Sequence, residues 1–178
     1  MTAKTSALIM GVGPEQGLGA ALCKRFAREG IQIFVCGRTT DKVEHIAELI
    51  NSTGGQAVPI TANVTDEADI NAMIDRVRAS NLPLELAIYN AGNNRPDPFL
   101  DVTPEIFESM WRVLCMGGFL TSQAVIRLML EQGYAAPKRS LLFTGASGSL
   151  RGRANFSAFA AGKGALRLMV QSLAREFG

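Results

Sequence analysis

An apolar strand pattern that runs into a glycine-rich turn and then opens a helix constrains this chain more than any other feature. Ala7-Leu8-Ile9-Met10-Gly11-Val12 is a continuous apolar run, as expected of a strand covered on both faces. Gly13-Pro14-Glu15-Gln16-Gly17-Leu18-Gly19 follows directly. Leu18, Leu22 and Phe26 then recur at four-residue spacing, which predicts a helix with those three residues on its apolar face. A helix N-terminus presents unpaired N–H groups and the positive end of a dipole. Such a turn is therefore an anion site suited to a pyrophosphate. In this reading Gly13 allows the tight turn, Gly17 lets backbone approach phosphate, and Gly19 lets the helix pack close to the strand. Leu18, at the helix start, joins the same set. The spacing is G-x-x-x-G-x-G, and no Lys-Ser/Thr pair follows, so the turn is not a nucleoside-triphosphate P-loop.

The rest of the chain alternates between strand and helix patterns. Ile31–Cys36, Ala57–Thr61, Leu84–Tyr89 and Leu141–Thr144 read as strands two to five. Pro59 places the third at a sheet edge. Val43, Ile46, Ala47 and Ile50 mark a second helix; Ile70, Met73, Ile74 and Val77 mark a third, capped by Thr65 or Asp66. A long fourth helix runs from about Pro104 to near Gln132, with Trp111, Leu114, Gly118 and Val125 as inward candidates. The last helix carries an apolar stripe of Leu166, Val170, Leu173 and Phe177. Regular alternation of this kind predicts an α/β fold, a parallel sheet with helices on both faces. We read residues 1–178 as one dinucleotide-binding domain.

Composition narrows the function classes. Net charge is +2 without a basic run, which gives no support for nucleic-acid binding. The longest uninterrupted apolar stretches are strand-sized, so no bilayer-spanning segment is expected. The chain starts without a secretory pattern, and its three cysteines, Cys23, Cys36 and Cys115, are scattered. Both point to reduced, buried thiols and a cytoplasmic protein. His45 is the sole histidine, which argues against a His-based triad or metal site, and it is expected at the surface of the second helix.

Asn90-Ala91-Gly92 directly follows strand four, and Asn63-Val64 follows strand three. With Gly13, Gly17 and Gly19, these motifs resemble those of the short-chain dehydrogenase/reductase family, and the match runs through the whole length. The resemblance implies a Rossmann-type doubly wound sheet of strand order 3-2-1-4-5. It also implies a nicotinamide dinucleotide cofactor, hydride transfer involving a small carbonyl or alcohol, and a homo-oligomer. Asn90, Ala91 and Gly92 would support the sheet beside the cofactor. Asn63 stands where the family carries aspartate, with Val64 beside the adenine, and its amide can still meet a base edge. Strand two ends Cys36-Gly37-Arg38-Thr39 without a carboxylate, and Arg38 can pair with a 2′-phosphate. NADP is therefore favoured, with NAD as the alternative.

The catalytic set departs from the family. Its lysine corresponds to Lys163, which would bind the cofactor ribose. Its tyrosine falls at Phe159, which cannot transfer a proton. Its serine falls at Ala146, with Ser147 one residue on as a substitute. The fourth-helix segment Trp111–Phe119 contains no asparagine. Ser157 and Cys115 are further substitutes, though each also reads as an ordinary helix residue. Two readings follow: an oxidoreductase with a non-standard proton donor, or a cofactor-binding sensor or scaffold that has lost the chemistry. The family also continues with further strands, which would leave strand five as an apolar edge here.

Overall fold

A computed structural model describes residues 5–133 and 139–178. The strands are β1 Ser6–Met10, β2 Gln32–Gly37, β3 Ala57–Thr61, β4 Leu84–Tyr89 and β5 Ser140–Phe143. The helices are α1 Leu18–Ala27, α2 Thr40–Ser52, α3 Glu67–Arg78, α4 Pro104–Trp111, α5 Gly117–Glu131 and α6 Ser157–Phe177. All strand pairings are parallel, in the order β3-β2-β1-β4-β5. Pro59 sits on edge strand β3, where a missing N–H does least harm.

The central strands β1, β2 and β4 are buried on both faces. Leu8, Met10, Phe34, Ala87 and Tyr89 face α3 and α5, packing with Ile70, Met73, Ile74, Val77, Val125 and Leu128. Ala7, Ile9, Ile33, Val35 and Ile88 face α1 and α2, packing with Ala20, Cys23, Val43, Ile46 and Ile50. This two-sided burial is why the strands read as unbroken apolar runs. Asp66 caps α3, accepting from the Ala68 and Asp69 N–H groups at 2.9 and 3.1 Å. All three cysteines are buried and unpaired, and His45 is exposed.

Three helical faces differ from expectation. Leu18 of α1 is 54% exposed, and Leu22 and Phe26 are only half-buried. The buried face is Ala20, Cys23 and Ala27. Small side chains win because α1 lies too close to β1 for leucine: a Cβ on Gly19 would come within 3.0 Å of the Val12 Cα. On α6 only Leu166 of the expected stripe is buried, and Phe177 is 51% exposed. Trp111 is half-buried, at the junction between α4 and α5. That junction is a single π turn, Arg112–Met116.

The expectation about membrane spans is also corrected. Pro104–Glu131 is helical throughout and, by length and composition, apolar enough to cross a bilayer. Glu108, Ser109 and Arg112 on one side and Thr121, Ser122 and Gln123 on the other bound its longest uninterrupted apolar stretch, residues 113–120, which is only strand-sized. Half of its apolar window is buried in the fold. Val125 and Leu128 pack on the sheet, as a core helix does.

β5 pairs with β4 alone, as an edge strand, and Leu142 on it is 49% exposed. A groove of about 750 Å³ runs beside it between α5 and α6.

Candidate functional site

The site grows from the carboxyl end of β1. Gly11 ends the strand with φ +83°, and a Cβ there would overlap the backbone nitrogen of Ala91. The turn then rises to Gly13 and closes where the Gly17 N–H donates to the Pro14 carbonyl at 2.9 Å. The first intrahelical acceptor is the Gly17 carbonyl, bonded by the Ala21 N–H at 3.1 Å. The amides of Leu18, Gly19 and Ala20 therefore begin the helix without intrahelical partners. Gly13 has neither a left-handed φ nor any neighbour within 4 Å of a Cβ position. The tight-turn role expected of Gly13 thus belongs to Gly11, which the motif reading passed over. The signal for it was present: a glycine inside an otherwise unbroken apolar run marks a bend or a close approach.

Below the turn, a polar chain ties three strands together. The Asn90 Nδ2 donates to the Gly11 carbonyl at 3.1 Å, and its Oδ1 accepts from the Thr144 hydroxyl at 2.8 Å. The Thr144 carbonyl accepts from Lys163 Nζ at 2.6 Å. Asn90 thus links the glycine turn to the lysine on α6. Thr144 is a second residue that motif reading missed; its only signal is a hydroxyl residue at the end of an apolar strand.

Lys163 is 5% exposed, and burial lowers its pKa. Among the described residues no carboxylate lies within ion-pairing distance of it. Gly162 beside it does not open space for a ligand. A Cβ there would meet the Leu114 side chain at 2.8 Å, so its smallness serves packing between helices.

Gly13, Arg38, Asn63, Val64, Ala91 and Gly92 line a single cleft of about 180 Å³ along the carboxyl ends of β1, β2 and β4. Ligands of open parallel sheets bind at these strand ends, where the strand order reverses. Two larger grooves, of about 660 and 750 Å³, hold none of the predicted residues. The small cleft is the one that joins the carboxyl ends of the strands, glycine backbone, two cations and the start of α2. Asn63 Oδ1 accepts from the N–H and hydroxyl of Thr65 at 3.2 and 3.0 Å, which leaves its NH₂ as the donor for a ligand. Arg38 is exposed, and Lys42, in the first turn of α2, lines the same cleft. Thr39 caps α2 without using its side chain. Two cations and a helix N-terminus thus converge at the end of β2. Lys42 was not singled out from sequence, because a lysine in the first turn of a helix opposes the dipole and reads as a solvated surface residue.

The remaining predicted residues lie apart from that cleft. Ser147 begins a short 3₁₀ turn, Ser147–Ser149, and is exposed. Ser157 Oγ is buried without a hydrogen-bond partner. The Cys115 thiol is pushed up by burial. Phe159 packs on Met110, Leu114 and Ala158, and its ring meets Phe156 edge-on at 6.3 Å. The Tyr89 hydroxyl donates to the Val113 carbonyl in the π turn at 2.5 Å; π turns are frequent beside functional sites.

Comparison with known proteins agrees with this geometry. The chain is 29% identical over 170 residues to glucose 1-dehydrogenase of Gluconobacter oxydans, covering 95% of this chain and 63% of that protein. It thus spans less than two thirds of the length of that curated relative. A crystal structure of a short-chain dehydrogenase from Rhodopseudomonas palustris superimposes with TM-score 0.88 at 34% identity, over 97% of this chain and 78% of that one. A gluconate 5-dehydrogenase from Burkholderia cenocepacia, solved with NADP and tartrate, superimposes with TM-score 0.87 at 26% identity, over 98% and 66%. The family model described as short chain dehydrogenase matches residues 6–178, from the first residue of β1 onward. The sheet order, the glycine turn and the buried lysine therefore have one common explanation: this chain belongs to the short-chain dehydrogenase family.

Proposed function

We propose that this protein binds NADP(H) along the cleft and transfers hydride between the nicotinamide and a small carbonyl or alcohol, without a tyrosine as proton donor. The observation that carries the reading is the continuity of the site. One polar chain runs from Gly11 through Asn90 and Thr144 to Lys163. It would join the turn that leads into α1, suited to an anion, to a buried cation. The dinucleotide fits the residues present. The amides at the start of α1 would hold the pyrophosphate, and Gly13 leaves backbone open to it. Asn63 and Val64 would flank the adenine, and Lys163 would donate to ribose hydroxyls. Arg38, Lys42 and the α2 N-terminus suit a 2′-phosphate, a dianion that NAD lacks. Ala91 and Gly92 present backbone rather than bulk at the middle of the cleft.

A second reading has its own observation. Phe159 is half-buried against Met110, Leu114 and Ala158, with no hydroxyl to offer, which suits a cofactor-binding sensor or scaffold. The same experiment separates the two. NADPH and NADH are titrated by fluorescence, and carbonyl reduction is then assayed for wild type and Phe159→Tyr. We expect NADPH to bind more tightly than NADH, with turnover in wild type. Binding with turnover only in Phe159→Tyr selects the sensor or scaffold. Absence of binding by both nucleotides refutes both readings.

A further inference from the structure

Reduction of a carbonyl leaves an oxygen that must take a proton, and no tyrosine stands at Phe159 to give one. The hydroxyls and thiols near α6 are poor acids in their settings. Tyr89 is buried against the Val113 carbonyl, and burial holds its phenol well above the usual range. Cys115 is likewise buried and raised. Ser147 and Ser157 are aliphatic alcohols, which are not proton donors at neutral pH without a partner base. Lys163 differs from all of these. It brings an ammonium group to the carboxyl ends of β4 and β5, bonded to the Thr144 carbonyl at 2.6 Å. Its Nζ is 3.8 Å from the position of a Cβ on Gly92, a residue that lines the cleft. It lies one helical turn after Phe159, on the same face of α6. It has no carboxylate partner among the described residues, and a buried cation without a counter-ion gives up a proton more readily than a solvated one.

We propose that Lys163 is itself the acid that protonates the substrate oxygen, in place of the family's tyrosine. This rests on the oxidoreductase reading above. Bound NADPH supplies the hydride to the carbonyl carbon. The C=O π pair moves onto oxygen, and that oxygen takes a proton from the Lys163 ammonium, forming the O–H bond as an N–H bond breaks. The lysine is left as a neutral amine and regains its proton from water. Thr144 holds the nitrogen in place through its carbonyl, and Asn90 holds Thr144. In the oxidative direction the neutral amine accepts the alcohol proton.

Two measurements on the full chain test this. First, lysine amines are labelled by reductive ¹³C-methylation and titrated by NMR, with the Lys163 signal assigned by its loss in Lys163→Arg. Lys163 should titrate at lower pH than the other lysines; titration together with them overturns the proposal. Second, NADPH binding and NADPH-dependent reduction of ethyl acetoacetate are compared in wild type, Lys163→Arg and Phe159→Tyr/Lys163→Arg. Arginine keeps the cation but does not release its proton. Lys163→Arg should bind NADPH within about tenfold of wild type yet lose about 100-fold or more in kcat. The double variant should regain turnover, and wild-type kcat should fall as pH rises through the lysine titration. Wild-type turnover by Lys163→Arg overturns the proposal and leaves the cofactor reading standing. Loss of nucleotide binding by wild type refutes the cofactor reading itself, and the proposal with it.

Discussion

Two glycines two residues apart, Gly11 and Gly13, separate what the turn needs to fold from what it needs to bind. Alanine at Gly11 meets a left-handed φ of +83° and backbone at Ala91. The conformational strain alone costs about 1–2 kcal/mol, and overpacking adds about 1–3 kcal/mol. The sum is about 2–5 kcal/mol, and each kcal/mol lowers Tm by about 2–4 °C in a chain of this size. Gly11→Ala should therefore melt at least about 4 °C below wild type, because the β1 end and the Asn90–Ala91 backbone must separate. Alanine at Gly13 meets nothing within 4 Å and no φ penalty. It also removes freedom from the unfolded chain, which is worth about 0.4–1 kcal/mol in favour of the fold. Gly13→Ala should keep or slightly raise Tm. Its methyl group, however, projects where the pyrophosphate would approach, so NADPH affinity should fall about tenfold or more, roughly 1.4 kcal/mol. Thermal melts and fluorescence titrations on both variants read the two effects separately. NADPH binding unchanged in Gly13→Ala would refute the placement of phosphate against the turn. A wild-type melt for Gly11→Ala would refute the close packing of β1 on Ala91.

Other outcomes follow from the same geometry. Thr144→Val leaves the Asn90 Oδ1 without its 2.8 Å donor and should cost about 1–3 kcal/mol in urea denaturation, whereas Thr144→Ser should recover most of it. Replacing Arg38 and Lys42 together by glutamine should weaken NADPH binding more than NADH binding; equal loss for both would exclude a 2′-phosphate site at β2. The buried Cys23 and Cys36 thiols are pushed up from 9.0 to about 12, first by desolvation. The unfolded chain then loses thiol protons above pH 9 while the folded chain keeps them, so stability falls as pH rises. At pH 10 the two together cost about 3 kcal/mol, visible as a lower urea midpoint than at pH 8. Lys163 acts in the opposite sense. Its folded pKa is lowered, so the unfolded chain binds more protons between that value and 10.5, and stability rises with pH there. Lys163→Met should therefore steepen the alkaline loss.

The strands, their parallel order and most helical faces were legible because two-sided burial leaves apolar runs and periodic stripes in the sequence. The faces that misled were those where distance, rather than hydrophobicity, decides. Ala20 and Cys23 take the centre of the α1 interface, with Leu22 only partly buried against it and Leu18 exposed, because a Cβ on Gly19 would come within 3.0 Å of the Val12 Cα. On α6, Phe177 is half exposed along the groove beside β5 rather than buried in the expected stripe. In both places a residue-by-residue pattern cannot report how near the neighbouring element lies.

The site divides along the same line. The half proposed to hold the cofactor is built from backbone and glycine, whose demands on sequence are strict, so Gly17, Gly19 and Asn90-Ala91-Gly92 pointed to it without a structure. The half proposed to do chemistry depends on one side chain reaching across space. Lys163 matters because it lies under Gly92 and against Thr144, residues 71 and 19 positions away in the chain. Sequence could register a phenylalanine at position 159 but not that the lysine one turn later is buried with no carboxylate partner among the described residues. That burial changes the meaning of the substitution. A tyrosine lost beside a solvated lysine would leave no acid in the site. A tyrosine lost beside a desolvated, hydrogen-bonded ammonium leaves an acid already in place, and the Lys163→Arg variant asks whether the protein uses it.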